Sequence, residues 1–229
     1  MAKKASTPPS RRLCLPVIRE VTLRHFTLYN IKPELVEDIS AGVHCLAGAN
    51  GIGKSSYLAA VAYGISGMVA DPEQKFESTD EYLKRCTNFA QDYFAGRIDS
   101  DDVEQAEIAL VFSVGDTEFQ LTRGFFDESA LRTLRIRQGS KTIFDDSADE
   151  LTVNSQTELH EIYVDHCVRA SNLANLGQLA FILHYCMSFD ERRLLLFWEP
   201  KVLEQLMYLT FARSCRSACQ ARSRSGSST

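Results

Sequence analysis

Gly48-Ala49-Asn50-Gly51-Ile52-Gly53-Lys54-Ser55 is the stretch on which the reading of this chain turns. A glycine, four residues and then Gly-Lys-Ser make the phosphate-binding loop pattern. The glycines let backbone amides curl round phosphate groups, and the N-terminal dipole of the helix that follows favours negative charge there. In that chemistry Lys54 reaches the β- and γ-phosphates, and Ser55 ligates magnesium. A glycine turn with a solvated lysine has the same composition, so the flanking structure must separate the two. Upstream, Val43-His44-Cys45-Leu46-Ala47 reads as a short strand running straight into the loop. Downstream, Lys54 to Tyr63, apolar at Tyr57, Leu58, Val61 and Ala62, reads as a helix that Gly64 and Gly67 stop. Strand, loop and helix together predict a nucleoside triphosphate site for ATP and Mg2+, built from Gly48, Ala49, Asn50, Gly51, Ile52, Gly53, Lys54, Ser55 and Ser56.

Outward from the loop, residues 1–12 read as a flexible basic leader carrying Lys3, Lys4, Arg11 and Arg12, and residues 13–212 as one lobe. Val17 to Leu23 is rich in β-branched residues and predicts a strand, and Ile39 marks another short candidate. Residues 71–102 are acid-rich and read as an insertion in which Glu81 to Phe94 forms an exposed helix. Ala106 to Phe112 and Glu118 to Arg123 alternate around Val114-Gly115-Asp116-Thr117, which predicts a hairpin; Leu131 to Arg137 and Lys141 to Phe144 repeat the pattern around Gln138-Gly139-Ser140. Ser155, followed three positions later by Glu158, suits the start of a helix running to about Arg169. Leu173 to Phe189 and Lys201 to Ala212 read as C-terminal helices, with Pro200 placed for the first turn of the second. Residues 213–229, rich in Ser and Arg, are expected to be disordered.

With 45% hydrophobic residues in 229, the chain can bury a sizeable core, and a formal charge of -5 argues against a uniformly basic nucleic-acid-binding surface. Contacts to DNA would have to come from local patches. Seven irregularly spaced cysteines and the absence of an apolar secretory segment fit a reducing, cytoplasmic setting. Apolar runs such as Leu194 to Trp198 fall far short of the roughly 20 residues a membrane span needs. Cys215 and Cys219 lack further suitably spaced ligands, and His44, His160, His166 and His184 form no metal spacing, so they read as surface or satisfied core residues.

The Asn50-Gly51 pair makes Gly48 to Ser56 resemble the Gly-x-Asn-Gly-x-Gly-Lys-Ser form of ATPases of the structural-maintenance-of-chromosomes (SMC) and SbcC-like type. Val21-Thr22-Leu23-Arg24-His25-Phe26-Thr27-Leu28 looks like the opening strand and turn of that family. His25 stands there for the usual Asn, which leaves open an adenine-side contact by Arg24 or Phe26. Ala106 to Phe112 and Phe119 to Arg123 resemble its antiparallel strands, Gly177-Gln178 its Q-loop before Glu191-Arg192-Arg193, and Leu194 to Glu199 the segment before its coiled-coil arm. The resemblance implies an α/β fold: a P-loop NTPase lobe like the ABC/SMC head, with a flanking antiparallel β-sheet and C-terminal helices.

Under that resemblance Lys54 and Gln178 are the catalytic candidates, and Ser55 and Gln178 the magnesium-side ones; the other reading of Gln178 is an ordinary polar residue on a helix face. The family's Walker B carboxylates, signature loop and switch histidine find no match. Ile162-Tyr163-Val164-Asp165 is the nearest apolar run ending in aspartate, but its surroundings read as helix, and Leu194 to Glu199 ends in Glu199-Pro200. The implied partners are a C-terminal lobe of the same ATPase, a second copy joined through ATP, and double-stranded DNA. The implied task is DNA repair, chromosome maintenance or anti-phage defence by a nucleoid-associated protein. A P-loop kinase or transporter ATPase, and a non-hydrolysing ATP-dependent interaction module, are the rival expectations.

Overall fold

The computed structural model describes residues 12–29, 34–39, 42–71, 78–126, 131–147, 153–187 and 200–208. Residues 1–11 of the leader, the tail after 208, and the segment 188–199 with Glu191 to Arg193 and Leu194 to Glu199 lie outside them. The described residues form a mixed α/β structure around one antiparallel sheet of six strands, in the order β2-β1-β3-β4-β5-β6. The strands are β1 (Pro16–Arg24), β2 (Glu34–Asp38), β3 (Glu107–Val114), β4 (Thr117–Gly124), β5 (Leu131–Gln138) and β6 (Lys141–Ser147).

The two hairpins form where alternation and turn residues place them. Val114 pairs with Thr117 across Gly115-Asp116, and Gly115 takes a φ of 62°, which a two-residue turn of this hand demands and glycine meets without strain. In β3 the alternation is strict: Ile108, Leu110, Phe112 and Val114 face the core, while Ala109, Val111 and Ser113 face the opposite side. β1 pairs with its sequence neighbour β2 on one side and crosses to β3 on the other, pairing Val21 with Leu110 and Leu23 with Ile108, with a bulge between Ile18 and Glu20.

Four helices follow the same logic: α1 (Lys54–Ser66), α2 (Thr79–Ala95), α3 (Val153–Ser171) and α4 (Leu176–Ile182), the last widening into a π turn over Leu183–Met187. Residues 200–208 are also helical, with Val202 buried. α1 packs on β3, and α3 on β5. Gly64, expected to stop α1, instead lies inside it where the helix meets the sheet: a Cβ there would come within 2.5 Å of Leu110 Cδ1. The stop is Gly67, whose N–H donates to Tyr63 O. α3 begins at Val153, so Ser155 lies inside the helix rather than at its start.

The helix expected to be exposed over Glu81 to Phe94 is corrected by its packing. Ser78 caps α2 by accepting from Glu81 N, and Tyr82, Cys86, Ala90 and Phe94, each four residues on, are buried in one stripe. Phe94 sits among Phe125 (ring centroids 4.4 Å apart), Tyr63 (5.1 Å), Tyr93 (5.1 Å) and Phe26 (6.2 Å). Acidic residues on the outer face hide this stripe in the composition.

One buried polar cluster lies between β4, α1 and α3. The Arg123 guanidinium is wholly buried, donates from Nε to Gly64 O at 3.2 Å, and meets the carbonyl end of α1, whose dipole favours a cation. Tyr163 donates to Ile65 O at 2.6 Å beside it. His160, expected to be a surface or satisfied side chain, is half-buried, and its Nδ1 is shut from solvent with no hydrogen-bond partner among the described residues. Burial first, then the charge of Arg123, pushes the His160 pKa down from 6.5 to about 3.

The unfolded chain therefore binds this proton more readily than the folded one. The stabilising effect of a neutral His160 is complete above pH 6.5 and is lost as pH falls from there towards 3, at about 1.4 kcal/mol per unit. Denaturant titrations from pH 7 to 4 should give a steeper acid loss for the wild type than for His160→Gln. Parallel curves would contradict this.

Candidate functional site

The expected strand over Val43 to Ala47 is not formed. Residues 42–49 carry neither helix nor strand and stay exposed, Val43 at 99%, and none of the six described strands pairs with them. β-branched propensity alone does not make a strand; backbone groups need a neighbour to bond, and β2 and β6 are the edges of the sheet that exists. Loop and helix, by contrast, occur together as expected.

Gly53 is the N-cap of α1 with φ 94°, a left-handed value, and a Cβ there would stand 2.9 Å from Leu28 Cδ2 and 3.0 Å from Tyr29 Cε1. Only glycine meets both demands. Its carbonyl accepts from Tyr57 N at 2.9 Å, which begins the helix, and from the Tyr29 hydroxyl at 2.7 Å, which fixes the loop to the turn after β1. Burial raises the Tyr29 pKa, so the phenol remains a donor; burial and then Glu37 push Tyr57 up to about 12.

Lys54 Nζ folds back over the loop and donates to Gly48 O and Ala49 O, each at 2.8 Å. Ser55 is exposed next to it, while Ser56 is buried. The first turn of α1 holds no acidic residue, so no side chain of its own offsets the positive end of the helix dipole. A turn-forming glycine, free helical amides and a lysine lying across the loop fit an anion such as a triphosphate.

Behind Ser56 lies a residue that the sequence did not single out. Arg97 stacks its guanidinium 3.7 Å from the Tyr93 ring centroid, donates to Tyr93 O, and donates from Nε to Ser56 Oγ at 3.0 Å. The Tyr93-x-x-x-Arg97 spacing near a helix end is the one local signal that marks the pair.

The remaining candidates sit elsewhere. Phe26 is 2% exposed and stacks on Tyr29, and Arg24 is bonded to Glu34 at 2.9 Å and Glu107 at 2.6 Å, so neither presents a free face to a nucleotide base. Gln178 begins α4. Its N–H donates to the N-cap Asn175 Oδ1, and its Oε1 accepts from Ala174 N, both at 2.9 Å, which is a helix-capping role. Asp165 lies in α3 and pairs with Arg169 at 2.8 Å, so Ile162 to Asp165 is helical, as expected. Among the described residues no three His, Cys, Asp or Glu side chains gather as a metal-ligand set, and no helix is long and apolar enough to cross a membrane. No family model, curated protein or solved structure matches this chain.

Proposed function

We propose that this chain is an ATP-binding lobe, with a P-loop NTPase core, of an ATPase of the SMC/SbcC-like kind. The observation that carries the reading is the Gly48–Ser55 loop turning into α1 at a left-handed Gly53, with Lys54 lying across it. Lys54 exchanges its two loop carbonyls for β- and γ-phosphate oxygens, which are stronger acceptors because they are charged. Ser55 holds Mg2+, which supplies charge neutralisation at the phosphates. Gln178 joins it only by giving up the Ala174 amide, so its part requires α4 to shift.

The rest of the proposal calls for a second lobe. Val43, Leu46, Ile52 and Leu58 are exposed apolar residues on and around the loop, and Val43 to Ala47 has strand-forming residues without a strand beside it. A C-terminal lobe supplying neighbouring strands would cover them, and a second copy would close over the γ-phosphate. Work on double-stranded DNA in a cytoplasmic, nucleoid-associated setting belongs to that assembly. Within this lobe Arg24, Arg85, Arg132, Arg135, Arg137 and Arg169 are each paired with carboxylates, so these arginines are already engaged and less available to DNA phosphates.

One observation favours a second reading, ATP binding without hydrolysis: the nearest carboxylate candidate, Asp165, is helical and already paired. The two readings separate on turnover. The isolated chain is expected to bind ATP with magnesium and not to hydrolyse it, and hydrolysis is expected once a C-terminal lobe is co-expressed with it. Persistent lack of turnover in that pair favours the interaction module. Duplex DNA that changes neither affinity nor turnover of the pair contradicts the DNA role.

A further inference from the structure

We infer that Arg97 is a positioning residue for the nucleotide, acting through Ser56 on the phosphate nearest the nucleoside; the inference rests on the ATP-binding reading above. Ser56 lies two residues beyond Lys54 in the first turn of α1 and is 7% exposed. Its hydroxyl accepts from Arg97 Nε at 3.0 Å, and the Tyr93 hydroxyl lies 3.5 Å away. A hydroxyl has one proton to give and two lone pairs to accept with. Arg97 Nε occupies one acceptor position, and Ser56 keeps its own proton to give. Elsewhere in this chain buried serines spend that proton on the carbonyl one turn back, as Ser66 does on Ala62 O and Ser171 on Cys167 O. Ser56 makes no such bond among the described residues. Its proton is left to acceptors outside the helix, the distant Tyr93 hydroxyl or a phosphate oxygen.

The electrostatics call for the same partner. Arg97 carries a permanent charge at the positive end of α1, its contacts are a ring, a carbonyl and a hydroxyl, and no carboxylate of the described residues pairs with it. Two positive sources side by side repel one another modestly, and an anion between them turns that repulsion into attraction. Stacking on Tyr93 and the bond from Leu28 N to Arg97 O at 3.1 Å hold the residue in place. Lys54 serves the distal phosphates, while Arg97 and Ser56 serve the proximal end that ADP shares with ATP.

Equilibrium dialysis of MgATP and MgADP against the whole chain tests this, with Arg97→Gln, Arg97→Ala, Ser56→Ala and the double variant Arg97→Ala/Ser56→Ala. Each Arg97 variant is expected to weaken both nucleotides by the same factor, about tenfold, and the double variant by little more than the worse single one. The melting temperature without nucleotide should be unchanged in Arg97→Gln, which a purely structural role would lower. Wild-type affinity in both Arg97 variants, or losses that multiply in the double variant, would overturn the inference while leaving the P-loop reading intact. A wild-type chain that binds neither nucleotide overturns both.

Discussion

Lys54→Ala is expected to weaken MgATP binding by about a hundredfold or more, while leaving the fold intact. The lysine makes two bonds to the carbonyls of Gly48 and Ala49, both in an exposed loop, so removing it costs the protein itself little. Toward a triphosphate the same ammonium forms charge-assisted bonds to two phosphates, each worth about 1.5–3 kcal/mol, and about 1.4 kcal/mol is a factor of ten in affinity. Circular dichroism should superimpose on that of the wild type, and calorimetric titration should lose its heat of binding. Lys54→Arg keeps the charge but exchanges a compact ammonium for a broad planar fork that the glycine turn does not accommodate, so it should rescue little. Undiminished affinity in Lys54→Ala would mean that ATP, if bound, lies elsewhere.

Phe94→Ala is expected to cost about 3–5 kcal/mol, as large aromatic truncations in packed cores do. The ring is fully buried and touches aromatic side chains from the β1 turn, α1 and the end of β4, so no single neighbour can collapse into the space it leaves. For a chain of this size the melting temperature should fall by roughly 10 °C. A change within about 0.5 kcal/mol, the range of surface substitutions, would mean that α2 is an appendage after all. The same variant loosens Tyr93, whose ring lies against Phe94 and carries Arg97, so nucleotide affinity should drop with stability.

The hairpins were legible because their information is local. A two-residue turn and a period of two need no distant partner to be recognised. The start and type of α1 were legible for the same reason, since Gly53 and Lys54 announce a helix N-terminus. What failed was set at long range. Val43 to Ala47 has the composition of a strand, yet pairing decides, and the described sheet leaves it outside. Gly64 looked like a breaker because a glycine in a helix is costly in isolation; its value lies in the close approach to Leu110.

The buried stripe of α2 was readable in the four-residue spacing from Tyr82 to Phe94, but Asp80, Glu81 and Asp92 on the other face dominated the composition. The candidate site divides in the same way. Its glycines and lysine form a contiguous motif, whereas Arg97 enters through a contact 41 residues away in sequence. Gln178 carried a motif's spacing, and in the fold its amide works as a helix cap.

Direct titration of the unmodified chain with ATP, with and without magnesium, tests the central claim. Saturable, magnesium-dependent binding of one ATP per chain is expected at micromolar concentration, about -8 kcal/mol. Absence of any saturable binding up to millimolar ATP with magnesium present would contradict it.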